Sequence, residues 1–268
     1  MIMEEFNKLK EEVKKFKYNS FEYIDFDDVA DYEILHNDEN LILIYGLDTE
    51  QKQKKVNWAA NYVDNLTETI LGLGKDVLIS FIPMEWRDHF LSVGFMDYAM
   101  FREYWIDDIT CLEGDVEYHL LQEDECEQAA FVTQSCRLQS RGFLGETKDF
   151  FLEWINGRDA SAINCNAINS SVLVHKNDDK IVGIACVTIY GHENKKGPIL
   201  WLREIAVHPE YQGKGIGRKL IRQAIQFGRE REAIRSFLMA DDCNENAIGL
   251  YKSIGYVPND DVEINMIS

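Results

Sequence analysis

The sequence predicts an α/β (α+β) chain: a mixed sheet flanked by helices, with the same plan laid down a second time in degraded form. Three observations lead there. Residues 115–268 alternate β-branched runs with amphipathic helical segments. The first half carries a fainter copy of that order. A glycine-rich turn closes a long strand in the second half only.

With 268 residues, 46% of them hydrophobic, the chain can build two modest cores, and we divide it into 1–114 and 115–268. Only four prolines and no Gly/Ser-rich tract occur, so no flexible linker is expected and the halves should pack directly on each other. The opening MIMEEFNKLKEEVKKFK puts Phe6, Leu9, Val13 and Phe16 at helical spacing among charges, which reads as a surface helix rather than a signal peptide. No run is apolar for long enough to span a bilayer, and a cytoplasmic protein without a membrane partner is expected.

The six cysteines (Cys111, Cys126, Cys136, Cys165, Cys186, Cys243) form no CxxC pair and no metal-ligand interval with a histidine, so reduced, mostly buried thiols and no metal are expected. A net charge of −19 repels phosphate backbones, which excludes nucleic acid as a natural partner and is compatible with cationic ligands.

In the second half the order begins with a helix from Cys126 to Leu138 and another from Thr147 to Asn156. A hairpin, SSVLVHKNDDKIVGIACVTIYG, then turns at Asn177, Asp178 and Asp179. The strand ILWLREIAV (199–207) follows, then the glycine turn and a helix with Leu220, Ile221, Ala224, Ile225 and Phe227 on one face. The strand SFLMA leads to a helix capped by Asn244, and VEINMI closes the chain. Setting Phe90 of FLSVGF beside Tyr251 of YKSIGY aligns 41–50 with 202–211, 51–56 with 212–217 and 77–82 with 238–243, without a gap. In that alignment the first half offers Lys54 and Val56 for Gly215 and Gly217, and Phe90 for Tyr251. Its expected role is non-catalytic, as a wall beside the substrate cleft.

The turn itself reads Gln212, Gly213, Lys214, Gly215, Ile216, Gly217, Arg218. Glycines here let the main chain approach a ligand and aim its N–H groups at it, where the positive end of the following helix adds to them. A pyrophosphate suits such a cradle, and neither a Walker loop nor GxGxxG is present. QxxGxG directly after a strand ending REIAVHPEY, followed by NxxAxxLYxxxGY (Asn244, Ala247, Leu250, Tyr251, Gly255, Tyr256), resembles the two central motifs of the GCN5-related N-acetyltransferase (GNAT) family. The resemblance covers about residues 115–268 and is strongest over 199–256.

It implies acetyl-CoA as donor and a primary amine, of a small molecule or a peptide, as acceptor. The pantetheine arm would then run along the main chain of Ile205, Ala206 and Val207, with the pyrophosphate on the amides of 212–218 and Asn244 in reach of CoA. Glu204 matches the family's glutamate base, against a plain strand carboxylate paired with Arg203, Arg218 or solvent. Tyr251 matches the tyrosine that protonates the leaving thiolate, against a packing tyrosine. Tyr190, His192 and Glu193 stand near where the family places its acceptor, and Trp154 and Trp201 read as core. The competing function is a CoA or acetyl-CoA sensor of the same fold without turnover.

Overall fold

The computed structural model describes residues 1–48, 52–112, 117–137, 139–157 and 170–268. It separates into unit 1, Met1–Phe101 with Val262–Ser268, and unit 2, Arg102–Asp261. The division placed at 114/115, the helix end at Leu138 and Cys165 all lie outside the described residues. Of the described chain, 102–112 group with unit 2 and 262–268 with unit 1. The second assignment has a backbone cause: in the last strand, β12 (Val257–Ile267), Met266 and Ile267 pair antiparallel with Ile79 and Leu78 of unit 1. No helix among the described residues is long and apolar enough to cross a membrane.

Unit 2 has α5 (Cys126–Gln134), α6 (Lys148–Ile155), β8 (Ser170–Asn177), β9 (Lys180–Tyr190), β10 (Ile199–Val207), α7 (Ile216–Arg229), β11 (Arg235–Asp241) and α8 (Glu245–Ile254). The short strand β7 (His119–Leu120) borders β8, and the sheet runs β11-β10-β9-β8-β7. The strands pair antiparallel except β10 with β11, which are parallel at Ile199–Trp201 and Arg235–Phe237. That pairing ends at Trp201–Phe237, although β10 continues to Val207 and β11 to Asp241. The two strands therefore part, and among the described residues the far edge of β10 takes up no further strand.

Each face of this sheet is buried by helices whose periodicity was visible in the sequence. Leu220, Ile221, Ala224, Ile225 and Phe227 of α7 pack on Leu173, Ala185, Val187, Leu200 and Leu202. On the other face Ala129 and Val132 of α5 and Phe151 and Trp154 of α6 cover Val172, Val174, Ile184, Cys186 and Ala206. Full burial of each such aliphatic or aromatic side chain contributes about 1.5–3 kcal/mol. Thr147 caps α6 by accepting from the Phe150 N–H at 3.1 Å, and Asn244 caps α8 by accepting from the Ala247 N–H at 3.3 Å.

Unit 1 begins with α1 (Met3–Glu12), β1 (Tyr18–Asn19) and α2 (Phe26–Val29). Then come β2 (Glu33–Asn37), β3 (Leu41–Asp48), β4 (Gln53–Ala60), α3 (Val63–Gly72), β5 (Val77–Ile79), α4 (Met84–Ser92) and β6 (Met96–Ile106). From β3 to β6 the order is strand, strand, helix, strand, helix, strand, as from β9 to β12. Within that order Lys54 and Val56 lie inside β4, not in a turn, so the gapless alignment is off by one strand before β5. The segment joining β4 to α3 is Asn61 and Tyr62 alone, where unit 2 has residues 208–215 between β10 and α7. A run such as LILIYG fits the first strand of a hairpin as well as a crossover strand, which is why sliding the halves together misplaced it.

The parting of β4 from β5 is also filled. The parallel pairing stops at Val56–Ile79, and beyond it β1 takes the freed edge, Asn19 opposite Ala59 and Tyr18 opposite Ala60. Ser20 extends this pairing, its N–H donating to the Trp58 carbonyl at 2.8 Å and its Oγ accepting from the Trp58 N–H at 2.9 Å. Trp58, fully buried, stands 5.6 Å from Trp86, whose ring meets Tyr18 edge-on at 5.0 Å.

Candidate active site

The glycine turn takes up a left-handed backbone at two of its glycines. Gly213 and Gly215 have φ of +72° and +81°, the left-handed region that costs other L-residues about 1–2 kcal/mol, and Gly215 caps α7 with no side chain of its own. The first main-chain bond of α7 runs from the Lys219 N–H to the Gly215 carbonyl, and the N–H groups of residues 213–218 have no acceptor among the described residues. Six amides at a helix N-terminus, without an acceptor among the described residues, are donors of the kind an anion takes up.

These residues open on a cavity of about 890 Å³ lined by Ile205, Val207, Gln212, Gly213, Gly215, Ile216, Gly217, Arg218, Asn244 and Tyr251. Such a volume lies in the ~300–1,000 Å³ range of cofactor sites. Unassigned by the sequence, Gln139, Tyr211, Cys243, Ala247 and Leu250 also line it; Ala247 and Leu250 were in the motif but carried no stated role. Gly217 is needed for closeness: a Cβ there would stand 3.0 Å from Leu250 Cδ2. Lys214 points elsewhere, its Nζ donating to the Glu210 carbonyl at 3.0 Å and lying 4.7 Å from the Tyr211 ring centroid. Ala206 is buried on the opposite face of β10 and offers only its main chain.

Glu204 does not line the cavity, and a bulge explains where it goes. In β10 the register against β9 jumps between Leu202, opposite Val187, and Glu204, opposite Cys186, so Arg203 is the extra residue. Arg203 and Glu204 therefore both turn to the face covered by α5 and α6. Arg203 lies over the rings of Phe150 and Trp154 at 4.4 and 5.5 Å and donates to Glu146 Oε1 at 2.8 Å. Neither ion pair considered for Glu204 forms: Arg203 binds Glu146, and Arg218 donates to Ser253 Oγ at 2.7 Å. Burial pushes the Glu204 carboxyl up to about 8; Arg203 opposes, Glu146 reinforces, and the Ile205 N–H opposes.

Tyr251 is buried with its ring at the cavity, 6.2 Å from Tyr256 and 6.4 Å from Tyr104. Burial, then the charge of Glu204 and the phenol of Tyr256, push its hydroxyl well above the ordinary tyrosine range, so it stays protonated. Tyr256 donates to or accepts from Ser236 at 2.7 Å, whereas the Tyr251 hydroxyl has no hydrogen-bond partner among the described residues. Tyr190 meets Phe237 edge-on at 6.2 Å, and His192 and Glu193 are exposed in the turn after β9; none of the three lines the cavity. Trp154 is core, but Trp201 is only partly buried, stacked on Phe237 at 5.8 Å.

Residues 143–256 match the Acetyltransferase (GNAT) family. A thialysine N-epsilon-acetyltransferase of Bos taurus is 35% identical over 75 residues, 26% of this chain and 44% of the relative. A streptothricin acetyltransferase of Streptomyces lavendulae is 38% identical over 79 residues, 30% of this chain and 40% of the relative. The chain thus spans less than half the length of these curated relatives. An acetyltransferase from the GNAT family of Colwellia psychrerythraea, a solved structure, superposes with TM-score 0.58 at 10% identity over 100% of this chain and 97% of its own, which is a likeness of fold. Residues 143–256, with their glycine turn and NxxAxxLY helix on one cavity, thus form a GNAT acetyltransferase domain within this chain.

Proposed function

We propose that unit 2 transfers an acetyl group from acetyl-CoA to a primary amine. The observation that carries this is one cavity lined by Gly213 and Gly215–Arg218, whose amides have no acceptor among the described residues, together with Ile205 and Val207 of β10 and Tyr251, whose hydroxyl has no partner among them either. The donor set fits CoA: Gly213 and Gly215 leave open space where a Cβ would stand, and beyond Trp201–Phe237 the edge of β10 is open to a peptide-like arm, which would compete for the Val207 carbonyl with Gln212 Nε2 at 2.8 Å and Cys136 Sγ at 3.3 Å. When bound, acetyl-CoA supplies a thioester carbonyl open to attack. Relatives named for thialysine and streptothricin acetylation support an amine acceptor, and the charge of −19 favours a cationic one.

In this reading Glu204, off the cavity lining but near enough to raise the Tyr251 hydroxyl, takes a proton from the ammonium through water, and the free amine nitrogen bonds to the carbonyl carbon. The carbon–sulfur bond breaks as Tyr251 donates its hydroxyl hydrogen bond to the departing sulfur. The bonded nitrogen gives up its second proton through solvent to the CoA sulfur, leaving an amide and a free thiol, and solvent removes the proton held by Glu204. The test is amine-dependent release of free thiol from acetyl-CoA across a panel of amines; CoA binding without release under every amine would leave a sensor instead.

Unit 1 is not a second donor site in this account, because β1 occupies the edge that the arm would need and Asn61–Tyr62 gives no cradle. Calorimetry is expected to give one CoA site per chain. Gly217→Val should weaken that site at least tenfold, about 1.4 kcal/mol, by crowding Leu250 and the cavity floor. Two equivalent sites, or parental affinity in a folded Gly217→Val protein, would contradict it.

A further inference from the structure

The segment that leads into α6 is held more firmly than a connecting loop requires. Gly145, at φ +86°, sits so close to α5 that a Cβ would lie 2.4 Å from Gln134 Cα. The next residue, Glu146, is fixed by its own main chain: its N–H donates to Thr133 Oγ1 at 2.9 Å and its carbonyl accepts from Gln134 Nε2 at 3.1 Å. Upstream, Arg141 binds the buried carboxylate of Asp241 and also Asp242. All this fixing brings one carboxylate to Arg203, the residue that the β10 bulge adds beside Glu204.

We propose that Glu146 is a positioning residue: by its ion pair it holds the Arg203 guanidinium on the rings of Phe150 and Trp154, leaving the neighbouring Glu204 without a cationic partner. This rests on the reading of Glu204 as the base. An arginine beside a catalytic carboxylate would otherwise claim it, because a charge-assisted guanidinium–carboxylate pair outcompetes a transient proton. The other groups that face Glu204 do not substitute for that charge. Cys186 stands opposite it on β9. The Cys136 thiol, after α5, is pushed up to about 11 by burial and then by Glu204 itself, and Tyr251 of α8 stays a neutral phenol. Arg203 and Glu146 are the charges that set its state.

The test reads the carboxyl directly. Ligand-free protein carrying carboxyl-labelled glutamate is titrated by NMR, with the Glu204 signal identified by its loss in Glu204→Gln. The parent is expected to titrate near 8. In Glu146→Gln the released Arg203 should turn to Glu204 and lower its midpoint by about one pH unit or more, a tenfold change in the proton equilibrium. In Glu146→Gln/Arg203→Gln the midpoint should return to the parental value or above. Arg203→Gln alone, which keeps Glu146, should raise it and serves if Glu146→Gln does not fold by thermal melting. An unmoved midpoint in both single variants, or a drop that persists in the double variant, overturns the proposal. The acid limb of kcat/KM should follow each titration. If the titrations shift as described while the limb stays fixed, the base assignment of Glu204 fails and the positioning pair stands.

Discussion

Glu204→Gln is expected to lower kcat/KM for amine acetylation by about 10²–10⁴-fold, the contribution of a positioned general base. The parental profile should rise with pH through a limb near 8, because the carboxyl must be ionised to accept a proton and burial holds it protonated below that point. The variant should lose that limb and keep only the pH dependence of the amine, whose own pKa is about 10.4 if it resembles lysine. A steady-state pH series on both proteins separates the two.

Stability should move the opposite way. The Glu204 carboxyl titrates near 8 when folded and at its ordinary 4.5 when unfolded. Between those values the folded chain keeps a proton that the unfolded chain has released, so parental stability falls as pH rises through that window. The amide removes this loss. The variant's thermal midpoint should overtake the parent's as pH rises from 4.5 to about 8, by about 2–4 °C for each kcal/mol recovered. A variant less stable than the parent at the alkaline end would show that Glu204 is a structural carboxylate.

Tyr251→Phe should leave CoA affinity almost unchanged and lower turnover by about 10²–10³-fold, the loss typical of one hydrogen-bond donor aimed at developing charge. The phenyl ring keeps the contacts with Tyr104 and Tyr256, so the change isolates the hydroxyl. A phenol raised above its usual range is a weaker acid than a CoA thiol, which titrates near the ~8.5 of cysteine, so Tyr251 stabilises the departing sulfur by a hydrogen bond and keeps its proton. The parent-to-variant ratio is therefore expected to stay flat from about pH 6 to about pH 9, since the phenol does not titrate there. Equal turnover at every pH would make Tyr251 a packing residue.

The parts of this site legible in the sequence are those written locally. The strand at 199–207, the glycine turn and the Asn244 cap each depend on neighbours within a few residues, and each lies where the spacing placed it. What the sequence hid is set by tertiary geometry. The bulge at Arg203 is not legible in composition: the adjacent charges Arg203 and Glu204 interrupt the apolar run, but nothing local says which of them is the extra residue. The Arg203–Glu146 pair spans 57 residues, and only the fold reveals that it removes the partner first considered for Glu204. In unit 1 the two-residue strand Tyr18–Asn19 is too short to show periodicity, yet it fills the edge of β4.

The most direct measurement follows the acetyl group itself: mass spectrometry of a primary amine incubated with the protein and acetyl-CoA labelled in the acetyl carbons. The label is expected on the amine nitrogen, with one free CoA thiol for each acetyl moved, and both should fall sharply in Glu204→Gln. An unlabelled amine in the presence of saturating, demonstrably bound acetyl-CoA would contradict it.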